Sequence, residues 1–369
     1  MTTVRAIELR MVGLPLVAPF RTSFGVETQK ECVLARVVTD DAEGWGECVS
    51  GIDPGYSEEF NEGVWLVIRR FLAPALFSAS DVTSADLDRV LAGVRGNPMA
   101  KATVIDAFLD AELRANGRSL AEHLGADKDR VVCGVSIGIT PTTEQLLEQV
   151  AGYLAEGYRR IKLKIEPALD VERVASVRAA HPGIALSVDA NAAYTLDDID
   201  VFRALDEFDL LMVEQPLHPD DLLQHAKLQR QIRTDLCLDE SIRTAADARA
   251  AIELGACRIL NIKQGRVGGV LEARRIHDVA RAAGIPVWCG GMLETGIGRA
   301  TNLALAALPG FTLPGDTSAS ARYFAEDVTE PFVVDPDGTM AVPTGPGIGV
   351  VPRPERLRAT TLRIETLTP

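Results

Sequence analysis

The 369-residue chain exceeds one ordinary domain and suits two domains or one barrel with an appended module; its 47% apolar content and lack of low-complexity tracts indicate a chain folded throughout. With 38 Lys plus Arg against 52 Asp plus Glu, the net charge of -14 repels a phosphate backbone and argues against nucleic acid as a partner. No run approaches the roughly 20 apolar residues of a spanning helix, the opening MTTVRAIELRMVGLPL lacks a signal-peptide pattern, and the six scattered cysteines, without a CxxC pair, read as reduced core residues. A cytoplasmic protein without a membrane partner is therefore expected.

Residues 1 to about 50 offer three strand-like runs, VRAIELRMVGLPL, ECVLARVVTD and GWGECVS. Two segments rich in Gly, Pro and Ser read as loops, APFRTSFG at 18 to 25 and SGIDPGYSEE at 50 to 59, and they carry Phe20, Phe24 and Tyr56. From about 57 the pattern turns helical, most clearly in MAKATVIDAFLDAELRANG, where Gly117 acts as a stop. This predicts an α+β module over residues 1–125.

From residue 131, short apolar runs alternate with amphipathic helical segments. Eight strands are predicted: VVCGVSIG, RIKLKI, IALSVD, DLLMVE, DLCLD, RILNIK, IPVWCGG and FTLPGD. Their period calls for a parallel (β/α)8-type barrel over 126–322, with the active site where the C-terminal strand ends open into loops. A doubly wound open sheet is the structural alternative, but no GxGxxG or Walker pattern follows the first strand. After about residue 322 the alternation stops. EPFVVDPDGTMAVPTGPGIGV predicts a hairpin turning at Asp335-Pro336-Asp337-Gly338, within a 323–369 segment that returns to the first module.

The charged residues of the predicted strands carry the chemistry. RIKLKIE places Lys162 and Lys164 on one face of a strand, and two lysines facing a barrel interior need a reason. Lys164, Asp189, Glu214, Asp239 and Lys263 fall at successive C-terminal strand ends, separated by 25, 25, 25 and 24 residues. Three such carboxylates without His or Cys suit a hard cation, Mg²⁺ best, with Mn²⁺ as a substitute. The alternative is a structural ring of ion pairs needing no metal. Metal and lysines together suit removal of a proton α to a carboxylate through an enediolate. Lys162 beside Lys164 would lower the pKa of its neighbour and so make it a better base.

The motifs KLK, VDAN, VEQP, LDES, NIKQGRVGG and GGMLETGIGR, with PFRTSFG and TLPGDTSAS, resemble the enolase superfamily. Within it they resemble the muconate-cycloisomerase-like branch and its o-succinylbenzoate synthase / N-succinylamino acid (N-acylamino acid) racemase family. The resemblance implies a (β/α)7β-type TIM-like barrel with an N-terminal α+β capping domain completed by the C-terminal tail. It implies Asp189, Glu214 and Asp239 as Mg²⁺ ligands, Lys164 and Lys263 as acid/base groups on opposite faces, and Lys162 as a tuning group.

The 18 to 25 and 50 to 59 loops become lids. Phe20, Phe24, Ser136, Gly291, Met292 and Leu293 become candidate contacts for the acyl or succinyl part of a small carboxylate substrate. Asn191, like Glu240, sits beside a ligand position as a supporting group, and Asn191 is also a candidate contact. Arg266 favours Lys263 as a base and hence racemase chemistry. The expected activities are o-succinylbenzoate synthesis by dehydration for menaquinone, racemisation of N-succinylamino acids, or both, by a homo-oligomer. Dipeptide epimerase and muconate-type cycloisomerase are alternatives within the superfamily, and a Schiff-base lysine lyase is one outside it. The five histidines receive no catalytic role.

Overall fold

The computed structural model describes residues 2–369. Its first layer is an antiparallel sheet of β1 (Val4–Thr22), β2 (Gly25–Thr39), β3 (Glu43–Glu47) and the last strand of the chain, in the order last strand, β1, β2, β3. Two glycines explain how the helix Pro98–Ala115 seats on this sheet. A Cβ on Gly46 would lie 2.1 Å from Thr103 O, and one on Gly44 would lie 2.1 Å from Ala111 N, so GWGE lets the helix backbone lie against the strand.

The barrel begins with β4 (Arg130–Val132) and β5 (Gly134–Ile137), followed by β6 (Arg160–Lys164), β7 (Ala185–Asp189), β8 (Val213–Glu214), β9 (Leu236–Leu238), β10 (Ile259–Ile262) and β11 (Val287–Cys289). Strands β5 to β11 form one seven-stranded parallel sheet in chain order, the arrangement expected of right-handed β-α crossovers. Their outward residues join the surrounding helices in a continuous apolar shell. The inward residues Met212, Cys237, Ile259 and Trp288 plug the interior.

Three sequence expectations are corrected. The predicted eighth strand, FTLPGD, is an irregular segment joined to its neighbours by single bridges, Phe311 with Val287 and Gly315 with Cys133. Pro314 has no N–H to offer a ladder. The ring still closes, because Gly134 N donates to Gly315 O at 2.7 Å and Asp316 N donates to Cys289 O at 2.9 Å. The predicted loop 18 to 25 is the tip of the long β1–β2 hairpin, paired as far as Thr22 with Gly25; register slips between Pro15 and Phe20 and an exposed tip hide its alternation. The predicted hairpin at 335 to 338 turns as expected, Gly338 N donating to Asp335 O at 2.8 Å, but its second arm, β12 (Thr339–Ala341), pairs with β4 of the barrel. β13 (Thr361–Leu367) pairs with β1, from Ile7 opposite Leu367 to Val12 opposite Thr361.

Two contacts set the first module over the barrel mouth. The hairpin tip docks on the end of β5, where Ile139 N donates to Arg21 O at 2.8 Å. The helix Pro98–Ala115 lends Asp106 Oδ1 to Val270 N–H at 2.9 Å, satisfying the first turn of the barrel helix Val270–Ala282. All six cysteines are buried and unpaired. No helix among the described residues is long and apolar enough to cross a membrane.

Burial pushes the Asp106 carboxyl up from its usual 3.8 to about 7. The folded state therefore keeps a proton that the unfolded chain has lost, and this group's contribution to stability falls as pH rises through that window. Asp106→Asn keeps the acceptor without the charge, so its melting temperature should fall less than the parent's between about pH 4 and pH 7 and exceed it above that range. Asp106→Ala should melt lower at every pH. An Asn variant that tracks the parent across a pH series of thermal melts would disprove the assignment.

Candidate active site

Strand β6 alternates Arg160, Lys162 and Lys164 inward against Ile161 and Leu163 outward, so three cations stand in a column along the barrel interior. At the bottom, Arg160 lies 2.8 Å from Asp316 Oδ1, donates to Pro314 O at 2.9 Å and stacks 4.8 Å from the Trp288 ring centroid. In the middle, the Lys162 ammonium lies 2.6 Å from Asp316 Oδ2, 2.7 Å from Glu214 Oε2 and 3.1 Å from Asp189 Oδ2. At the top, Lys164 donates to Asp189 Oδ2 at 2.7 Å and to Asn191 Oδ1 at 2.5 Å.

Across the mouth, Lys263 lies 2.6 Å from Asp239 Oδ2 and donates to the Tyr56 hydroxyl at 3.3 Å. Asp189, Glu214 and Asp239 occupy the intervening strand ends and are essentially sealed from solvent. Each carboxylate is oriented from behind. Asn261 Nδ2 donates to Glu214 Oε1 at 2.7 Å, Arg266 Nη2 donates to Asp239 Oδ1 at 2.9 Å, and the backbone N–H of Asn191 donates to Asp189 Oδ1 at 3.1 Å. Gln215 braces the next loop, its Oε1 accepting from the N–H groups of Asp239 and Ser241. Asn191, Gln215 and Leu293 all hold positive φ, so backbone strain gathers at the strand ends.

The electrostatics follow from burial and pairing. Burial opposes charge on Lys162, but Asp316, Glu214 and Asp189 outweigh it and hold the ammonium well above the ordinary lysine range. Asp189 is also opposed by burial, yet the lysines at 164 and 162 hold it far below a normal carboxylate. Burial and then Asp189 push Glu214 up to about 8; burial and then Asp239 push Glu240 up to about 7. The charge of Lys162 is thus matched by three surrounding carboxylates.

A cavity of about 300 Å³ lies between the hairpin tip, the 50 to 59 loop and the barrel mouth. Phe20, Phe24, Ser136, Asn191 and the Gly291-Met292-Leu293 turn line it, together with Lys162, Lys164 and Lys263. Phe24 and Tyr56 meet with ring centroids 5.6 Å apart, so the two predicted lid segments touch above Lys263. The Ser136 hydroxyl is buried at the wall with no hydrogen-bond partner. Arg266 is not brought there. It is buried behind Asp239, donating also to Asp239 O and Ile242 O, so the expectations of a substrate contact and of a charge depressing Lys263 give way to a brace on a carboxylate. Burial opposes the charge of Lys263, but Asp239 outweighs it and raises its pKa.

The sequence reading gave no site role to Asp316, Asn261, Arg160 or Tyr56. Arg160 was legible, because it has the same strand parity as Lys162 and Lys164. Asp316 and Tyr56 were not, because irregular segments carry them.

The oxygen-only set at 189, 214 and 239 fits a hard divalent cation. Glu240 Oε2 is buried without a hydrogen-bond partner, and the Glu214 carboxyl, raised by burial and then by Asp189, is one that a bound cation would help to ionise. As the side chains stand, lysine ammoniums lie against these oxygens, and among the described residues no three acidic, His or Cys groups are arranged to grip an ion.

Residues 5–125 match the mandelate racemase / muconate lactonizing enzyme N-terminal domain, and residues 145–356 match the enolase C-terminal domain-like family. The chain belongs to the enolase superfamily. It is 58% identical over 356 residues to an N-succinylamino acid racemase of an Amycolatopsis species, covering 96% of each chain. It is 49% identical to an o-succinylbenzoate synthase of Geobacillus kaustophilus, covering 94% of this chain and 92% of that one. A solved enolase-superfamily member from Listeria innocua superposes with a TM-score of 0.96 at 39% identity over the whole of both chains. Enzymes of this superfamily generally depend on a divalent metal.

Removing Asp316 leaves two buried cations short of a partner. Asp316→Asn should cost about 3 kcal/mol, read as a lower urea midpoint with an unchanged slope. Asp316→Leu combined with Arg160→Met should lose less than the sum of its single changes. Additive losses would show that the pair does not act as a unit.

Proposed function

We propose that this enolase-superfamily enzyme removes a proton α to a carboxylate, acting as an N-succinylamino acid racemase, an o-succinylbenzoate synthase supplying menaquinone formation, or both in one site. The observation that carries the reading is the arc itself: Lys164 and Lys263 flank the cavity, and three buried carboxylates lie on the strands between them. The names of the 58% and 49% identical relatives support the two reactions.

Asp189, Glu214 and Asp239 would hold Mg²⁺, or Mn²⁺ in its place, which supplies positive charge against the substrate carboxylate as the α-carbon loses its proton. Lys164 in its neutral form takes that proton from one face of the α-carbon. The C–H electron pair moves into the carboxylate and an enediolate results. In racemisation the Lys263 ammonium returns a proton to the opposite face, leaving the inverted carbon acid; the reverse reaction exchanges the two roles. In dehydration the Lys263 ammonium stays as a counter-charge, and the β-hydroxyl leaves with a proton as water while the ring becomes aromatic. Asn191 positions Lys164, Arg266 and Asn261 hold their carboxylates in register, and Phe24 with Tyr56 excludes water above the reacting atoms.

The test incubates the protein in D₂O with each enantiomer of an N-succinylamino acid, and separately with the hydroxycyclohexadiene carboxylate precursor, with and without EDTA. Inversion with deuterium at Cα supports the racemase, and o-succinylbenzoate formation supports the synthase. Chelation should abolish both and Mg²⁺ should restore them. Lys164→Ala should lower turnover by about 10²- to 10⁴-fold in each reaction. Lys263→Ala should stop inversion yet still exchange the α-hydrogen of one enantiomer. Full activity after metal removal, or in Lys164→Ala, would sink the mechanism.

A further inference from the structure

Lys30 stands apart from the other lysines of the cavity. It lies on β2 of the capping sheet, is 4% exposed and lines the same cavity as Lys164 and Lys263. Lys162, Lys164 and Lys263 each ion-pair with a carboxylate. Among the described residues Lys30 has no ion pair, and its one hydrogen bond is donated to the carbonyl of Met292 at 3.1 Å. An ammonium carries three donor hydrogens, so two remain without a protein acceptor.

Of the neighbouring acids, Glu27 is exposed and forms no ion pair with Lys30, and the two buried ones are already engaged. Glu47 accepts from Thr295 N–H, Thr295 Oγ1 and Gly298 N–H, while Glu294 accepts from Met292 N–H and Asn302 Nδ2. Burial opposes the charge of Lys30, but the fields of Glu27, Glu47 and Glu294 keep it protonated. A buried charge with spare donors on a cavity wall is costly unless a ligand completes it.

The position selects the ligand. Met292 is two residues beyond Gly290, where a Cβ would come within 2.8 Å of Lys263 Cε, so Lys30 reaches the turn that borders Lys263. Its charge comes from the capping sheet, and the acid/base pair and carboxylates come from the barrel. A ligand spanning the cavity would meet the reaction centre with one end and a free cation with the other.

We propose that Lys30 is a specificity-determining residue that binds a second, remote carboxylate of the substrate, making the site selective for dicarboxylates over substrates with a neutral acyl group. Resting on the α-proton reading above, this assigns Lys30 to the free carboxylate of a succinyl substituent, which N-succinylamino acids and the synthase substrate share. The Met292 carbonyl holds the ammonium in place.

Two measurements separate this inference from the proposed reaction. N-succinylglycine and N-acetylglycine have no stereocentre, so calorimetric titration of the Mg²⁺-loaded protein reads binding independently of inversion. The parent should bind the succinyl compound at least about tenfold tighter, the scale of a charged hydrogen bond. Lys30→Met should erase that preference while leaving N-acetylglycine affinity within about twofold, and Lys30→Arg should keep most of it. In turnover, Lys30→Met should raise KM for N-succinylamino acids by about tenfold with kcat nearly unchanged, and leave KM for N-acetylamino acids unmoved. Equal loss for both ligands, or retention of the preference in a variant whose thermal melt is intact, overturns the assignment. Preserved preference in the parent without turnover would overturn the proposed reaction and leave Lys30 as the anchor.

Discussion

The ammonium of Lys162, held among Asp316, Glu214 and Asp189, is the interaction on which the barrel interior depends. A parallel barrel of this size ordinarily fills its centre with branched apolar side chains. Here the lower interior is apolar, with Met212, Cys237, Ile259 and Trp288, while the upper interior is ionic. Buried charges are tolerable only when paired and hydrogen-bonded, and Asp189, Glu214, Asp239 and Asp316 each have a lysine or arginine against them. Trp288 joins the two zones, lying 4.8 Å from both the Arg160 guanidinium and the Lys162 ammonium.

That arrangement gives the two lysines of β6 different work. Lys162 is surrounded by three carboxylates, whereas Lys164 stands one tier higher and pairs with Asp189 alone. The same division recurs on the facing side, where Arg266 braces Asp239 from behind and Lys263 faces the cavity.

The capping module contributes what the barrel lacks, a lid and a second charge. The β1–β2 hairpin docks its tip on the end of β5, bringing Phe24 against Tyr56 and Tyr56 onto Lys263. The domains are also linked by Asp106 at the start of a barrel helix and by Glu47 at the start of the helix Gly296–Ala306. Acidic side chains from one domain thus cap helices of the other, which favours a single closed orientation over the mouth.

Strand order, the 25-residue register and the arc from Lys164 to Lys263 were legible in the sequence, because a β-α repeat converts linear spacing into position around a ring. The parity of β6 determined that Lys162 and Lys164 share one face of the strand. Tertiary structure decided which charges neutralise which, because ion pairs such as Lys162 with Asp316 or Arg266 with Asp239 join residues whose separation in sequence carries no period. It also decided the eighth segment, where Pro314 breaks the ladder while three-dimensional closure still supplies the hydrogen bonds, and the placement of Lys30 at the cavity. Local pattern reports the face of a strand; only packing reports what waits on the other side.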